Sequence, residues 1–271
     1  MIDALRRVAA EQVAGALASA EAGSEPGSIH DIRKRLKKLR GLIRLVRPVF
    51  ADYKAENRVL RDAGRRISGL RDTEVLLGTH DRLLADAGLD PDEDVPLREH
   101  LAARSGSDPR KGLGEVGDAL AALRSRVERW DLSETGFDAV AGGLRDTYRA
   151  ARKGPDGKGD TALHAWRKPV KYHLYHVRLL RDLWPEHMRA RCEALDEMGE
   201  VLGEHQDLAV YAETVATGPL KPVTREGLLV RVGERKAATE ARARELGALL
   251  FPDKPKVMVA RWSAWWDLWR A

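Results

Sequence analysis

The sequence contains a duplicated segment, which restricts the chain to folds that can be assembled from two copies of one unit. Laying 28–47 over 162–181, a shift of 134 residues, pairs His30 with His164, Arg33 with Arg167, Lys34 with Lys168, Lys37 with Lys171, Arg44 with Arg178 and Arg47 with Arg181. Apolar positions pair too: Ile29 with Leu163, Ile32 with Trp166, Leu36 with Val170, Ile43 with Val177 and Leu45 with Leu179. A second block follows in the same order at a shift of 135, where Leu60, Gly64, Asp72 and Val75 meet Leu195, Gly199, Asp207 and Val210. The order predicts one domain over 1–271, with halves of about 1–132 and 133–271. Their seam falls near 131–133, where Ser133 is placed to cap the next helix.

Leu, Ala, Arg and Glu dominate, and apolar residues recur every three or four positions, so the expected class is all-α with about ten helices and no strand. Breaks are expected at 22–27, 88–96, 105–109, 154–159, 217–219 and 252–255, where Gly, Pro, Ser and Asp cluster. Hydrophobic residues make up 43% of the chain, enough to fill a core and rule out global disorder. Cys192 is the one cysteine, so no internal disulfide or thiolate-clustered metal is possible and a reducing compartment is expected. The amino terminus has no signal-peptide core and no apolar run reaches membrane-spanning length. The sequence therefore predicts a cytoplasmic protein without a membrane span.

On a helix, His30, Arg33, Lys34, Lys37 and Arg44 fall in one stripe, while Ile29, Ile32, Leu36, Leu39, Ile43 and Val46 lie nearly opposite. His164, Arg167, Lys168, Lys171 and Arg178 repeat the pattern against Leu163, Trp166, Val170, Val177 and Leu180. Residues 30–47 hold eight Lys/Arg against Asp31 alone, and 164–181 hold five with no acid, although the whole chain nets only +5. Positive charge is thus gathered into two segments. Like charges at i,i+4 destabilise a helix, and two such helices side by side repel further, so a bound polyanion relieves both strains. An ordinary solvated face would carry interspersed Glu, which these stripes lack.

The motif His-x-x-Arg-Lys-x-x-Lys heading each half, with Arg44 and Arg178 at matching distance, resembles the CHAD family, the conserved histidine α-helical domain. The segments 69–76 and 199–207 are similar to that family's second motif in each half, and 148–152 fits the stretch ahead of the second histidine helix. The resemblance implies two four-helix-bundle-like halves related by a pseudo-twofold, with basic helices lining a central groove or pore. It also implies binding of inorganic polyphosphate and association with polyphosphate granules. The implied ligands are His30, Arg33, Lys34, Lys37 and Arg44 with His164, Arg167, Lys168, Lys171 and Arg178; Arg40, Arg65, Tyr148, Arg149 and Arg152 are secondary candidates. Pro169, Tyr172, His173 and Tyr175 depart from the first copy's Arg35, Lys38, Leu39 and Gly41, predicting a weaker second grip or one using phenol and imidazole donors.

Other chemistry has thinner support. The glycines at 112–117 match a dinucleotide fingerprint but follow no strand, and Gly157-Lys158 lacks the Ser or Thr of a phosphate loop. The acidic run Asp90, Asp92, Glu93 and Asp94 lacks the Gly and terminal Glu of a calcium loop and reads as a solvated turn. His173 and His176, three apart, have no carboxylate partner in sequence and read as packed polar groups rather than metal ligands. Glu200, Glu204 and Asp207 read as caps or salt bridges. Phosphate-bond hydrolysis usually needs a metal held by acids, so binding without turnover, cofactor or metal is expected. Nucleic-acid binding and metal-dependent polyphosphate hydrolysis are the rivals, though the stripes lack the exposed aromatics of single-strand binders. Trp262, Trp265, Trp266 and Trp269 form a helical stripe expected to dock on the bundle; the alternative is a contact with a second copy or with granule-associated proteins.

Overall fold

The computed structural model describes residues 1–23, 26–67, 72–86, 95–102, 109–219 and 222–271. Its helices are α1 (Ile2–Glu21), α2 (Pro26–Leu45), α3 (Tyr53–Arg66), α4 (Asp72–Asp86), α5 (Val95–Ala102), α6 (Pro109–Val127), α7 (Asp138–Arg152), α8 (Asp160–Leu179), α9 (Pro185–Thr217), α10 (Pro222–Leu250) and α11 (Pro255–Arg270). Short 3-10 turns, Arg47–Val49 and Arg181–Leu183, follow α2 and α8 at the same 134-residue offset as the sequence repeat. No strand occurs among the described residues, and the class is all-α. No described helix is long and apolar enough to cross a membrane.

Helix ends follow local chemistry. Helices α2, α6, α9, α10 and α11 open on proline, whose fixed φ suits a first turn and whose missing N–H has no helical partner there. Pro48 stops α2, because the residue before a proline is pushed out of helical geometry. Pro169 does not interrupt α8, which runs on as one helix. Ser133 is not the expected cap: α7 starts five residues later, after Phe137, and the Ser133 N–H instead donates to Val49 O across 3.0 Å. The glycines at 112–117 lie inside α6, so their spacing makes no phosphate-binding loop. The acidic run at 90–94, and residues 69–71 of the second motif, lie outside the described residues.

Helices α1, α2, α3 and α6 close a ring, each packed on two others. The second repeat builds a series, α7 on α8, α8 on α9 and α9 on α10, with α11 over α7. Helix α2 joins the two groups by packing on both α7 and α8. One apolar core runs through both: Ile32, Leu36 and Ile43 share it with Trp166, Val170, Val177, Trp130 and Trp262. Full burial of each aliphatic side chain is worth about 1.5–3 kcal/mol, which fixes the opposite, cationic faces of α2 and α8 away from the core. A smaller core joins Leu76 and Leu84 of α4, Leu97 and Leu101 of α5, Leu208 and Val215 of α9 and Leu228 of α10. The 33-residue α9, roughly 50 Å long at helical rise, spans both cores.

The tryptophan stripe docks in part. Trp262 is buried, Trp266 sits 5.9 Å from Phe137, and Trp265 packs edge-on to Trp184 at 5.2 Å. Trp269 remains 49% exposed.

Candidate functional site

The two repeat-bearing helices touch, crossing at Gly41 and Tyr175. A Cβ at Gly41 would lie 2.9 Å from Tyr175 Cδ2, so only glycine permits this approach. The imidazole of His176, fully buried beside it, bonds Gly41 O through Nε2 at 3.0 Å. A carbonyl only accepts, so Nε2 carries the proton. Burial, against that bond, pushes the His176 pKa down to about 3 and keeps the ring neutral.

Contacts on either side of this point run in opposite directions along the two helices. The Arg44 guanidinium lies 4.4 Å from the Tyr172 ring centre, and Lys38 lies within electrostatic reach of Arg178. Adding 134 to one partner and subtracting it from the other converts the Arg44–Tyr172 pair into Lys38–Arg178, and returns Gly41–Tyr175 to itself. Lys38 is half-buried; burial first, then Lys34, Arg35 and Arg178, pull its ammonium below the ordinary lysine range.

The first stripe spreads from there. His30, Lys34 and Lys37 are exposed on α2. Arg33 turns inward and donates to Ile67 O at 3.0 Å, and Arg40 donates to Asn57 Oδ1 at 3.1 Å while lying 6.0 Å from the Tyr172 ring. In the second stripe Lys168 is exposed, and Arg167, the counterpart of Arg33, donates to Gly199 O at 3.2 Å. Lys171 and Arg178 both reach Asp196 of α9, at 3.1 and 2.7 Å. His164 is partly buried; burial, Lys168 and Arg167 lower its pKa and favour the neutral ring.

The secondary candidates separate. Arg65 is exposed and 3.7 Å from Asp62; Arg149 is exposed and bonded to Asp146 at 3.0 Å; Arg152 is exposed. Tyr148 corrects the sequence expectation: it is 0% exposed, its ring packs on His173 and Phe251, and its hydroxyl donates to Asp253 O at 3.2 Å. It shares the core-facing side of α7 with Leu144 and Ala151, a spacing visible in the sequence.

His173 is also fully buried and accepts from Arg191 at 3.2 Å, beside Trp262. Glu204 pairs with Arg235 at 2.6 Å. No cluster of three or more His, Cys, Asp or Glu suited to a metal occurs among the described residues. Sequence reasoning missed Lys38 and Asp196. Lys38 lay just off the repeated stripe, while Asp196 falls on Arg61 in the 135-residue register and so carries no repeated signal.

A family model for the CHAD domain matches residues 4–216. PptA from Streptomyces chartreusis is similar in structure, with 14% identity, 93% of this chain and 99% of that chain covered, and a TM-score of 0.63. The CHAD domain from the plant Ricinus communis is similar with 19% identity over 92% of this chain and 89% of that one, at a TM-score of 0.55. No curated protein matches the chain by sequence.

Proposed function

The chain belongs to the CHAD domain family, and on that premise we propose that it binds inorganic polyphosphate, without cleaving it, along the cationic faces of α2 and α8. The observation that carries this reading is the crossing itself: two basic helices pack directly on one another, and Arg178 of α8 is among the charges that lower the pKa of Lys38 on α2. The ligands are His30, Lys34, Lys37, Lys38, Arg40 and Arg44 from the first repeat and His164, Lys168, Lys171 and Arg178 from the second, in two halves related by a pseudo-twofold through Gly41 and Tyr175. Arg65, Arg149 and Arg152 extend the basic surface. Arg33 and Arg167 act at the floor, where bonds to backbone carbonyls fix their guanidinium planes. Guanidinium groups take phosphate oxygens in bidentate fashion and ammonium groups act as point charges. The protein is read as cytoplasmic and associated with polyphosphate granules, with the exposed Trp184 and Trp269 edge available to a second copy or a granule protein.

Calorimetric titration of long-chain polyphosphate tests the reading. Saturable binding that weakens steeply with salt is expected, by analogy with counterion release from nucleic acids. The double variant Lys34→Glu/Lys37→Glu should lose binding with its circular dichroism unchanged, because both side chains are exposed. Retained binding, or equal displacement by duplex DNA at matched phosphate concentration, overturns the assignment. Orthophosphate released from the chain in the presence of magnesium would refute binding without turnover.

A further inference from the structure

The second half of this face contains its own anion. Asp196 Oδ1 bonds Lys171 Nζ at 3.1 Å and its Oδ2 bonds Arg178 at 2.7 Å, so one carboxylate bridges two repeat cations from the neighbouring helix. The backbone is shaped to allow this. A Cβ at Gly199 would lie 2.5 Å from Lys171 Cδ, so the absent side chain leaves the place where the lysine stem crosses α9 on its way to Asp196. Burial acts to raise the Asp196 pKa, but the bonds and charges of Lys171 and Arg178 outweigh it and hold the carboxyl below its ordinary range. At the position that the 135-residue shift of this block assigns to Asp196, the first repeat has Arg61, so the bridge has no counterpart there.

We propose that Asp196 is a resident counter-anion that occupies a phosphate subsite formed by Lys171 and Arg178 and must be displaced for a polyanion to engage the second half. The inference rests on the polyphosphate reading and deepens it. A carboxylate fixed to the chain competes at the high effective concentration of an intramolecular group. An isolated small anion has only its own few contacts to set against it. A chain already held by the cations of α2 presents its next phosphates intramolecularly as well, and the contest becomes even. Asp196 thereby makes occupancy of the second half depend on the length of the anion. The three partners are 25% exposed at Lys171, 40% at Arg178 and 37% at Asp196, open enough for exchange without unfolding.

The test is Asp196→Asn, titrated with tripolyphosphate and with long-chain polyphosphate. Removing the competitor should tighten tripolyphosphate binding about fivefold, the scale of a partly exposed ion pair. A residue that merely orients Lys171 and Arg178 would weaken binding when changed. Lys171→Met supplies a second readout: it should cost about twofold in the wild-type background, where the lysine leaves Asp196 to meet phosphate, and about tenfold in the Asp196→Asn background, where it leaves only water. Unchanged or weaker tripolyphosphate binding by Asp196→Asn, or equal Lys171→Met costs in the two backgrounds, overturns the proposal. Wild-type titration with the long chain separates the two levels, since failure there removes the polyphosphate reading itself.

Discussion

Replacing Gly41 with alanine tests the helix crossing on which the site depends. The added Cβ would stand 2.9, 3.0 and 3.3 Å from Cδ2, Cβ and Cγ of Tyr175. Comfortable carbon–carbon contact begins near ~3.5 Å, and the Tyr175 ring, 8% exposed, has little room to retreat. The helices must therefore part by about half an ångström. Overpacking of this kind costs about 1–3 kcal/mol, and parting also stretches the 3.0 Å bond from His176 to Gly41 O, worth a further ~1 kcal/mol. Alanine returns about 1 kcal/mol through its helix propensity. The net expectation is a loss of about 1–3 kcal/mol, read in urea as a lower midpoint at constant slope. The double variant Gly41→Ala/Tyr175→Ala should be more stable than the sum of the single changes predicts, by about 1–2 kcal/mol. Gly41→Ala as stable as wild type, or more so, would refute direct contact of α2 and α8.

His176 predicts a pH effect. Its pKa is about 3 folded against an ordinary 6.5, so the unfolded chain binds the extra proton and stability falls as pH drops below 6.5 toward 3, by up to about 1 kcal/mol per pH unit. His176→Leu, which restores the Leu42 of the first repeat, should flatten that part of the curve; denaturation midpoints between pH 7 and 4.5 decide it. Glu56, 4% exposed, bonds Arg126 at 2.8 and 2.9 Å and lies 3.4 Å from Trp130 Nε1. Glu56→Ala should cost about 2–3 kcal/mol, somewhat below a fully buried pair because Arg126 is 35% exposed. Tyr172→Ala should weaken polyphosphate binding about two- to fivefold by releasing Arg44, while Tyr172→Phe should keep affinity, because the ring face rather than the hydroxyl holds the guanidinium.

What the sequence revealed and what it hid have physical reasons. Helix periodicity is a local signal, so Ile29, Ile32, Leu36, Leu39, Ile43 and Val46 were legible as one face, and all are buried. The repeat made the 3-10 turns after α2 and α8 correspond as well. Ser133 misled because a capping residue type marks a start only when the next residues can turn into a helix, and Gly136, with φ +57, delays that turn. Tyr148 lies in the 148–152 segment marked by the resemblance, but its spacing from Leu144 and Ala151 puts it on the core-facing side of α7. Asp196 is a pairing between helices: no helical period links it to Lys171, 25 residues away, and only the folded chain brings them together.

The places where the second copy departs from the first acquire a different meaning at the crossing. Two identical copies would set Gly41 against a second glycine, Lys38 against an arginine twice over, and Leu42 against a second leucine. A glycine pair leaves a void, and each Lys–Arg pair adds repulsion. In this chain Tyr175 fills the space above Gly41, Tyr172 offers its ring to Arg44 where a lysine would repel it, and His176 donates to Gly41 O where a leucine has no donor. Lys38 and Arg178 keep the like-charge pair of the repeat, and Arg178 is among the charges that lower the Lys38 pKa. The three departures therefore have a packing role at the crossing. They stabilise the interface around Gly41 and Arg44, while Lys38 on the other side of the crossing stays under the influence of Arg178. A phosphate chain crossing from α2 to α8 should pass over Lys38, so Lys38→Met should weaken binding more than Lys168→Met, although each removes one positive charge; equal losses in calorimetric titration would mean that net charge alone, not the crossing, governs affinity.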